Sequence, residues 1–304
     1  MVLKVGYVPE HFSTPIAFAQ SKGFFQKLGL EIELIPYPSG SGHLIQSLED
    51  NSIDIAIGLT EAFVRGIAQG KENYKLIGTY VKSPLRWSIS TGYNRDDLTN
   101  EDQLQDKSIS ISRIGSGSHV MSFVLALQKG FTKPFYSNFP ILSNFKNLRD
   151  SVNLNPNVEP SDAFMWEHFT TKRYYDNEEV KKIGEIYTPW PSWVINARTE
   201  LVSTQKDKLT KFIQAIEQGI EYFQSNQRES IEYIFNNLDY SEEDAKEWIK
   251  TVEFNKGKVG SVDWTLVVEN TSKVLIEAGV LEDPEETIQT RLQSGIEPIT
   301  ATTK

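Results

Sequence analysis

The chain of 304 residues is 39% hydrophobic and 24% charged, enough for two cores of roughly 100–150 residues each. Its net charge of −10 argues against nucleic acid and anionic membranes as partners, since binding either rests on a concentrated basic surface. Without cysteine there are no disulfides, thiolate nucleophiles or cysteine-ligated metals, and no run approaches the roughly 20 apolar residues of a membrane span. A small-molecule ligand is the partner this leaves, and the sequence marks no surface patch for a protein partner.

Residues 3–8 read as a first strand and not as a secretory leader, so a cytoplasmic protein is expected, and the sequon at residues 270–272 reads as chance. A polar turn over 9–14 leads into a helix with Pro15 at its first position, stopped by Gly23. A strand over 30–36 follows, then a Gly/Ser loop at 38–42 opening a helix that carries Leu44, Ile45 and Leu48. A strand over 53–58, a helix over 60–68 and a strand over 75–81 complete an alternation that predicts a mostly parallel sheet covered on both faces.

Residues 86–93 are extended, and the charged, turn-prone stretch 94–103 marks a first crossing between lobes. The alternation then repeats: strand 108–112, a helix from Ser118, strand 140–143, helix 145–152, strand 162–166, helix 167–174 and strand 183–188. Segments 51–57 and 159–165 echo each other, each placing an Asp one residue into a short apolar strand. Residues 189–196 are the second crossing. Beyond residue 200 the pattern is helical, with apolar residues at i, i+3, i+4 spacing over 207–225 and three further helices near Ser230, Ser241 and Val262, expected to pack on the first lobe. The expected architecture is α/β. Lobe I comprises 1–93 and 190–304, lobe II comprises 94–189, and two crossing strands join them beside a ligand cleft at the carboxyl ends of both sheets.

The stretch 107–127 carries the strongest ligand signal. A strand, a Gly/Ser loop and a helix with Val120, Phe123, Val124 and Leu127 on one stripe leave helix N-terminal N–H groups beside the Ser116 and Ser118 hydroxyls. This suits an anion, although such a loop also serves as an ordinary cap. Arg113 at its mouth is the economical partner for a carboxylate, sulfonate or phosphate, with Gly117 and a neutral His119 beside it. In the first lobe the candidates at strand ends are His11, Phe12 and Ser13, then Ser39 and Gly40, then Thr60 and Glu61. Trp166 could stack on a planar ligand with Glu167 accepting from its N–H groups, and Trp190 on the second crossing could do likewise. No histidine pair has metal spacing and no nucleotide fingerprint occurs, so neither metal nor cofactor is expected.

The runs at Gly6-Tyr-Val-Pro, Ala19-Gln-Ser-Lys-Gly-Phe-Phe-Gln-Lys-Leu-Gly-Leu-Glu-Ile, 52–58 and 106–118 resemble the nitrate/sulfonate type of solute-binding proteins. The resemblance covers roughly residues 1 to 225. More narrowly, the chain is similar to fungal intracellular proteins with a type II periplasmic-binding-protein fold. These are related to the thiamine-pyrimidine synthase and often labelled for possible thiamine biosynthesis. The resemblance implies two lobes that close over a small ligand. In the synthase a catalytic lysine follows a Gly-Leu pair, with a reactive histidine four residues on and a Cys-rich segment later. Here Gly58-Leu59 is followed by Thr60, the histidine position is Val64, and cysteine is absent, so neither Schiff base nor histidine sacrifice is available at those positions. The expectation is a binding protein without catalysis for a small polar, anionic, partly planar metabolite. An enzyme using His11 or Glu61 as a base is the alternative.

Overall fold

The computed structural model describes residues 2–300 and comprises two units, one made of residues up to Ser83, Trp190–Ser272 and from Asp283 onward, the other of Pro84–Pro189 and Lys273–Glu282. The strands among the described residues are β1 (Leu3–Tyr7), β2 (Ile32–Pro36), β3 (Ile55–Leu59), β4 (Tyr74–Val81), β5 (Arg86–Gly92), β6 (Ile109–Ser110), β7 (Ala163–Glu167), β8 (Val180–Tyr187) and β9 (Trp193–Arg198). The first unit holds a five-stranded sheet in the order β2-β1-β3-β9-β4, and the second a four-stranded sheet in the order β6-β7-β5-β8.

The two sheets share one plan. In the first, β1 and β3 are parallel and β9 runs antiparallel between β3 and β4; in the second, β6 and β7 are parallel and β5 runs antiparallel between β7 and β8. Each antiparallel strand directly follows a passage of the chain from one unit to the other. This revises the sequence reading at one boundary. Residues 86–92 were expected with the first lobe, but they pair with β7 and β8, so the passage falls at Ser83–Pro84. The expected strand over 108–112 shrinks to two residues, and that over 140–143 to a single parallel bridge between Ile111 and Ile141. Local alternation does not show that a strand ends early when the next segment turns into a polar loop.

The echoed aspartates have the same task in both units. Asp54, 7% exposed, accepts the Lys4 backbone N–H at 2.9 Å through one carboxylate oxygen and the Arg198 guanidinium at 2.6 Å through the other. Asp162 accepts the Ser108 N–H at 2.9 Å and the Arg95 guanidinium at 2.8 Å in the same way. Each carboxylate thus ties the start of its own strand to that of the parallel neighbour and to an arginine at or just past the far end of the antiparallel strand. Burial by itself would raise the Asp162 carboxyl, but Arg95 and the Ser108 N–H and hydroxyl together pull it below its ordinary value.

Helices cover the sheets. The long helix Lys206–Ser225 buries Leu209, Phe212, Ile213, Ile216, Ile220 and Phe223, the stripe read from its spacing, and packs on the helix Thr14–Ser21. Burying each Phe of this stripe contributes roughly 2–3 kcal/mol. The outer edge of β4 is covered by backbone: Thr79 donates to Ser261 and Asn255 to Tyr80, while Glu297 and Ile299 donate to Leu76 and Ile77. A Cβ at Gly78 would stand 2.1 Å from the Val259 carbonyl oxygen, so only glycine admits this approach. The helix Glu285–Gly295, which the sequence reading did not mark, belongs to the first unit, whereas 273–282 joins the second. Among the described residues no helix is long and apolar enough to cross a membrane.

Replacing Asp54 with Ala leaves the Lys4 N–H without its acceptor and the largely buried Arg198 guanidinium with only its longer contacts to Asn51 and Glu200. Asp54→Ala is expected to cost about 2–4 kcal/mol, read as a lowered urea midpoint with an unchanged slope.

Candidate functional site

In the first unit the loops that follow β1, β2 and β3 are tied together. The Ser41 hydroxyl accepts the Leu59 N–H at 2.9 Å, and the Tyr37 N–H donates to the Tyr7 carbonyl at 2.8 Å. Gly40 holds φ at +81°, which lets the chain turn from β2 into the helix Ser41–Glu49. Ser39, exposed, bonds the His43 Nδ1 at 2.8 Å.

His11, proposed as a ligand contact, is fully buried. Its ring stacks between Tyr240 at 4.3 Å and Trp248 at 4.2 Å, and burial holds its pKa well below the ordinary value. The structure therefore makes His11 a packing residue, held by side chains more than 200 positions away in sequence. Phe12 meets Trp193 at 5.3 Å, and its carbonyl accepts the Tyr80 hydroxyl at 2.7 Å. The Ser13 hydroxyl donates to the Glu10 carbonyl at 2.6 Å. Phe12 and Ser13 line a cavity of about 10 Å³ with Tyr7, Ile57, Tyr80 and Trp193, space for about one water molecule. Trp193 lay outside the sequence reading. It is 3% exposed, and its indole N–H has no acceptor among the described residues.

Thr60 and Glu61 open the helix that follows β3, and both face the second passage of the chain. The Thr60 hydroxyl donates to the Pro191 carbonyl and its N–H to the Ser192 carbonyl. The Glu61 Oε2 accepts the Trp190 indole N–H at 3.1 Å, joining two residues that sequence reasoning had proposed separately. At 1% exposure, burial pushes the Glu61 carboxyl up to about 7, with its own backbone N–H, the Trp190 indole and Arg65 pulling the other way.

In the second unit the Gly/Ser loop is closed by its own polar groups. The Ser118 hydroxyl accepts the Ser112 N–H at 3.1 Å and lies 2.8 Å from that of Ser116, which caps the helix Gly117–Lys129 through the His119 N–H. The Gly115 N–H donates to the His119 Nδ1 at 3.0 Å, which fixes Nδ1 as an acceptor and leaves the ring proton on Nε2. The serines are thus clasps, 6% and 1% exposed, and not open donors. Arg113 differs: it is exposed and lies three residues before the cap, and while its carbonyl accepts the Ser116 N–H, its guanidinium forms no ion pair or hydrogen bond among the described residues. Desolvation lowers its pKa, and a guanidinium remains charged at neutral pH nonetheless.

Trp166 stacks on Phe145 at 4.9 Å at the edge of the core around Phe164 and Leu148, so its ring is partly spent on packing. Glu167, 6% exposed, caps the helix His168–Asp176 by accepting the Thr170 N–H at 2.7 Å and its hydroxyl at 2.9 Å. Burial pushes its carboxyl up to about 7 against the N–H groups of Thr170 and Phe169, the Thr170 hydroxyl and Arg86. Two buried acids near pH 7 therefore stand where a parallel strand turns into a helix, one in each unit.

A carboxyl whose pKa is higher folded than unfolded binds more protons in the folded state, so its contribution to stability falls as pH rises from about 4.5 to about 7. Glu61→Gln keeps an acceptor for Trp190 and removes this penalty. The variant is expected to gain on the order of 1–3 kcal/mol over the wild type at pH 8 and nothing at pH 4, measured by urea unfolding at both values.

The Ca3427-like PBP family model matches residues 87–186, and the NMT1-like family model matches residues 2–130. No curated protein matches the chain. The alkanesulfonate-binding protein SsuA from Xanthomonas axonopodis pv. citri, solved bound to MOPS, superposes with a TM-score of 0.75 at 11% identity over 97% of each chain. The periplasmic nitrate-binding protein NrtA from Synechocystis PCC 6803 does so with a TM-score of 0.72 at 15% identity, over 96% of this chain and 85% of that one. At such identities they establish the fold alone. The Candida albicans CA3427 gene product is 54% identical, over 98% of this chain and 96% of its own, with a TM-score of 0.92. The chain thus belongs to the family that the Candida albicans protein defines, whose members have the generic periplasmic binding protein fold.

Proposed function

We propose that the chain is an intracellular binding protein that closes its two units around a small polar metabolite carrying an anionic group and a planar part, and that it does no chemistry on it. The observation that carries this reading is Arg113, a guanidinium without a carboxylate partner among the described residues, three residues before the N-cap of a 13-residue helix. The names of the fold relatives, which bind an alkanesulfonate and nitrate, support an oxyanion as the recognised group.

Native mass spectrometry of freshly purified protein is expected to show a retained small molecule. Arg113→Ala is expected to weaken the binding of that molecule by about 10- to 100-fold, and unchanged affinity would rule out the anion role.

A second reading, an enzyme on the same scaffold, is favoured by one observation: Glu61 has a carboxyl near pH 7, suited to a general base. It predicts that the retained molecule is turned over, and that Glu61→Gln abolishes turnover while keeping affinity. Absence of turnover in the wild type would refute it.

A further inference from the structure

The second unit contains a cavity of about 600 Å³ that none of the site residues above lines. Its volume falls within the range of about 300–1,000 Å³ usual for small-molecule sites. One wall is aromatic: Phe123 and Phe139, both half-buried, lie 5.5 Å apart, and Phe123 meets the buried Phe135 edge-on at 6.0 Å. The Tyr136 hydroxyl is already spent on the Ser122 carbonyl at 2.6 Å, so this wall presents ring faces and edges.

A second part of the lining is the end of the helix Asn270–Glu277, where Gly279 takes φ of +69° and its N–H donates to the Ile276 carbonyl. A side chain at Gly279 would meet nothing within 4 Å, so this part is open.

The charges on the two parts are opposite. Lys133 is exposed, has its Nζ 5.6 Å from the Phe135 ring centroid, and forms no ion pair among the described residues. Glu277, also exposed, forms none either, and it stands at a helix C-terminus, the negative end of the helix dipole. An anion alone would meet Glu277 unfavourably and a cation alone would meet Lys133. A zwitterion with a flat ring satisfies both.

We propose that this cavity is a ligand site in its own right, taking a planar aromatic zwitterion of the aromatic amino acid class. The ring packs on Phe123 and Phe139, the carboxylate turns to Lys133, and the ammonium turns to Glu277 and the helix end. The inference does not rest on the function proposed above.

Isothermal titration of the full chain with L-tryptophan, indole-3-acetate and tryptamine tests it. L-tryptophan binds at one site per chain and more tightly than either singly charged analogue. Lys133→Gln weakens L-tryptophan and indole-3-acetate roughly threefold and spares tryptamine, while Glu277→Gln weakens L-tryptophan and tryptamine and spares indole-3-acetate. Phe139→Ala weakens all three about tenfold; should it fail to fold, the two charge variants on exposed side chains still decide the matter. No binding, or affinities indifferent to Lys133 and Glu277, would overturn the proposal. So would loss of L-tryptophan binding in Arg113→Ala, which would move the ligand to the Gly/Ser loop.

Discussion

The carboxylate at the start of the central parallel strand, buried in Asp54 and half-buried in Asp162, is the constraint on which each sheet rests. Asp54 and Asp162 each hold a backbone N–H at the start of a neighbouring strand and an arginine at or just past the far end of the antiparallel strand. Three strands are thereby fixed in register at one edge of the sheet, where a slip of one residue would turn every core side chain outward. Because the amino edge is clamped, the carboxyl edge can end in polar loops without loss of register. That edge is where Thr60, Glu61, Arg113 and Glu167 are found.

Clamping one edge also explains what the other edge can hold. Glu61 and Glu167 remain buried because each is given a donor, the Trp190 indole in one unit and Thr170 in the other. A buried acid with only a few neutral donors is pushed up toward pH 7, since those donors offset only part of the desolvation. The Arg113 guanidinium, by contrast, is left without a partner among the described residues, although the residue belongs to a loop whose hydroxyls are engaged with one another.

Much of this was legible in the residues. The Asp-containing echo of 51–57 in 159–165 marked the two central strands, and the spacing over 207–225 marked the face that Lys206–Ser225 buries. The sheet to which Arg86–Gly92 belongs was not legible, because alternation shows that a segment is a strand and not which partner it meets. The fate of His11 was hidden for the same reason: Tyr240, in a connection between helices, and Trp248, at the end of the next helix, lie late in the chain, and no local pattern announces a stack across such a separation. The Gly/Ser loop was correctly placed at a helix start, yet Ser116 and Ser118 serve the loop itself, a choice between capping and binding that only geometry makes.

The strap over β4 has a consequence beyond the first unit's fold. A bare outermost strand presents a ladder of unmet amide groups, the template on which identical chains polymerise. Here the segments around residues 255–261 and 296–299 occupy that ladder, and Gly78 admits one of them at a distance no other residue would tolerate. At the opposite border β2 ends in Pro36 and carries the exposed Glu33, features that discourage pairing by other means. The carboxyl-terminal segments therefore act as a built-in guard against self-association.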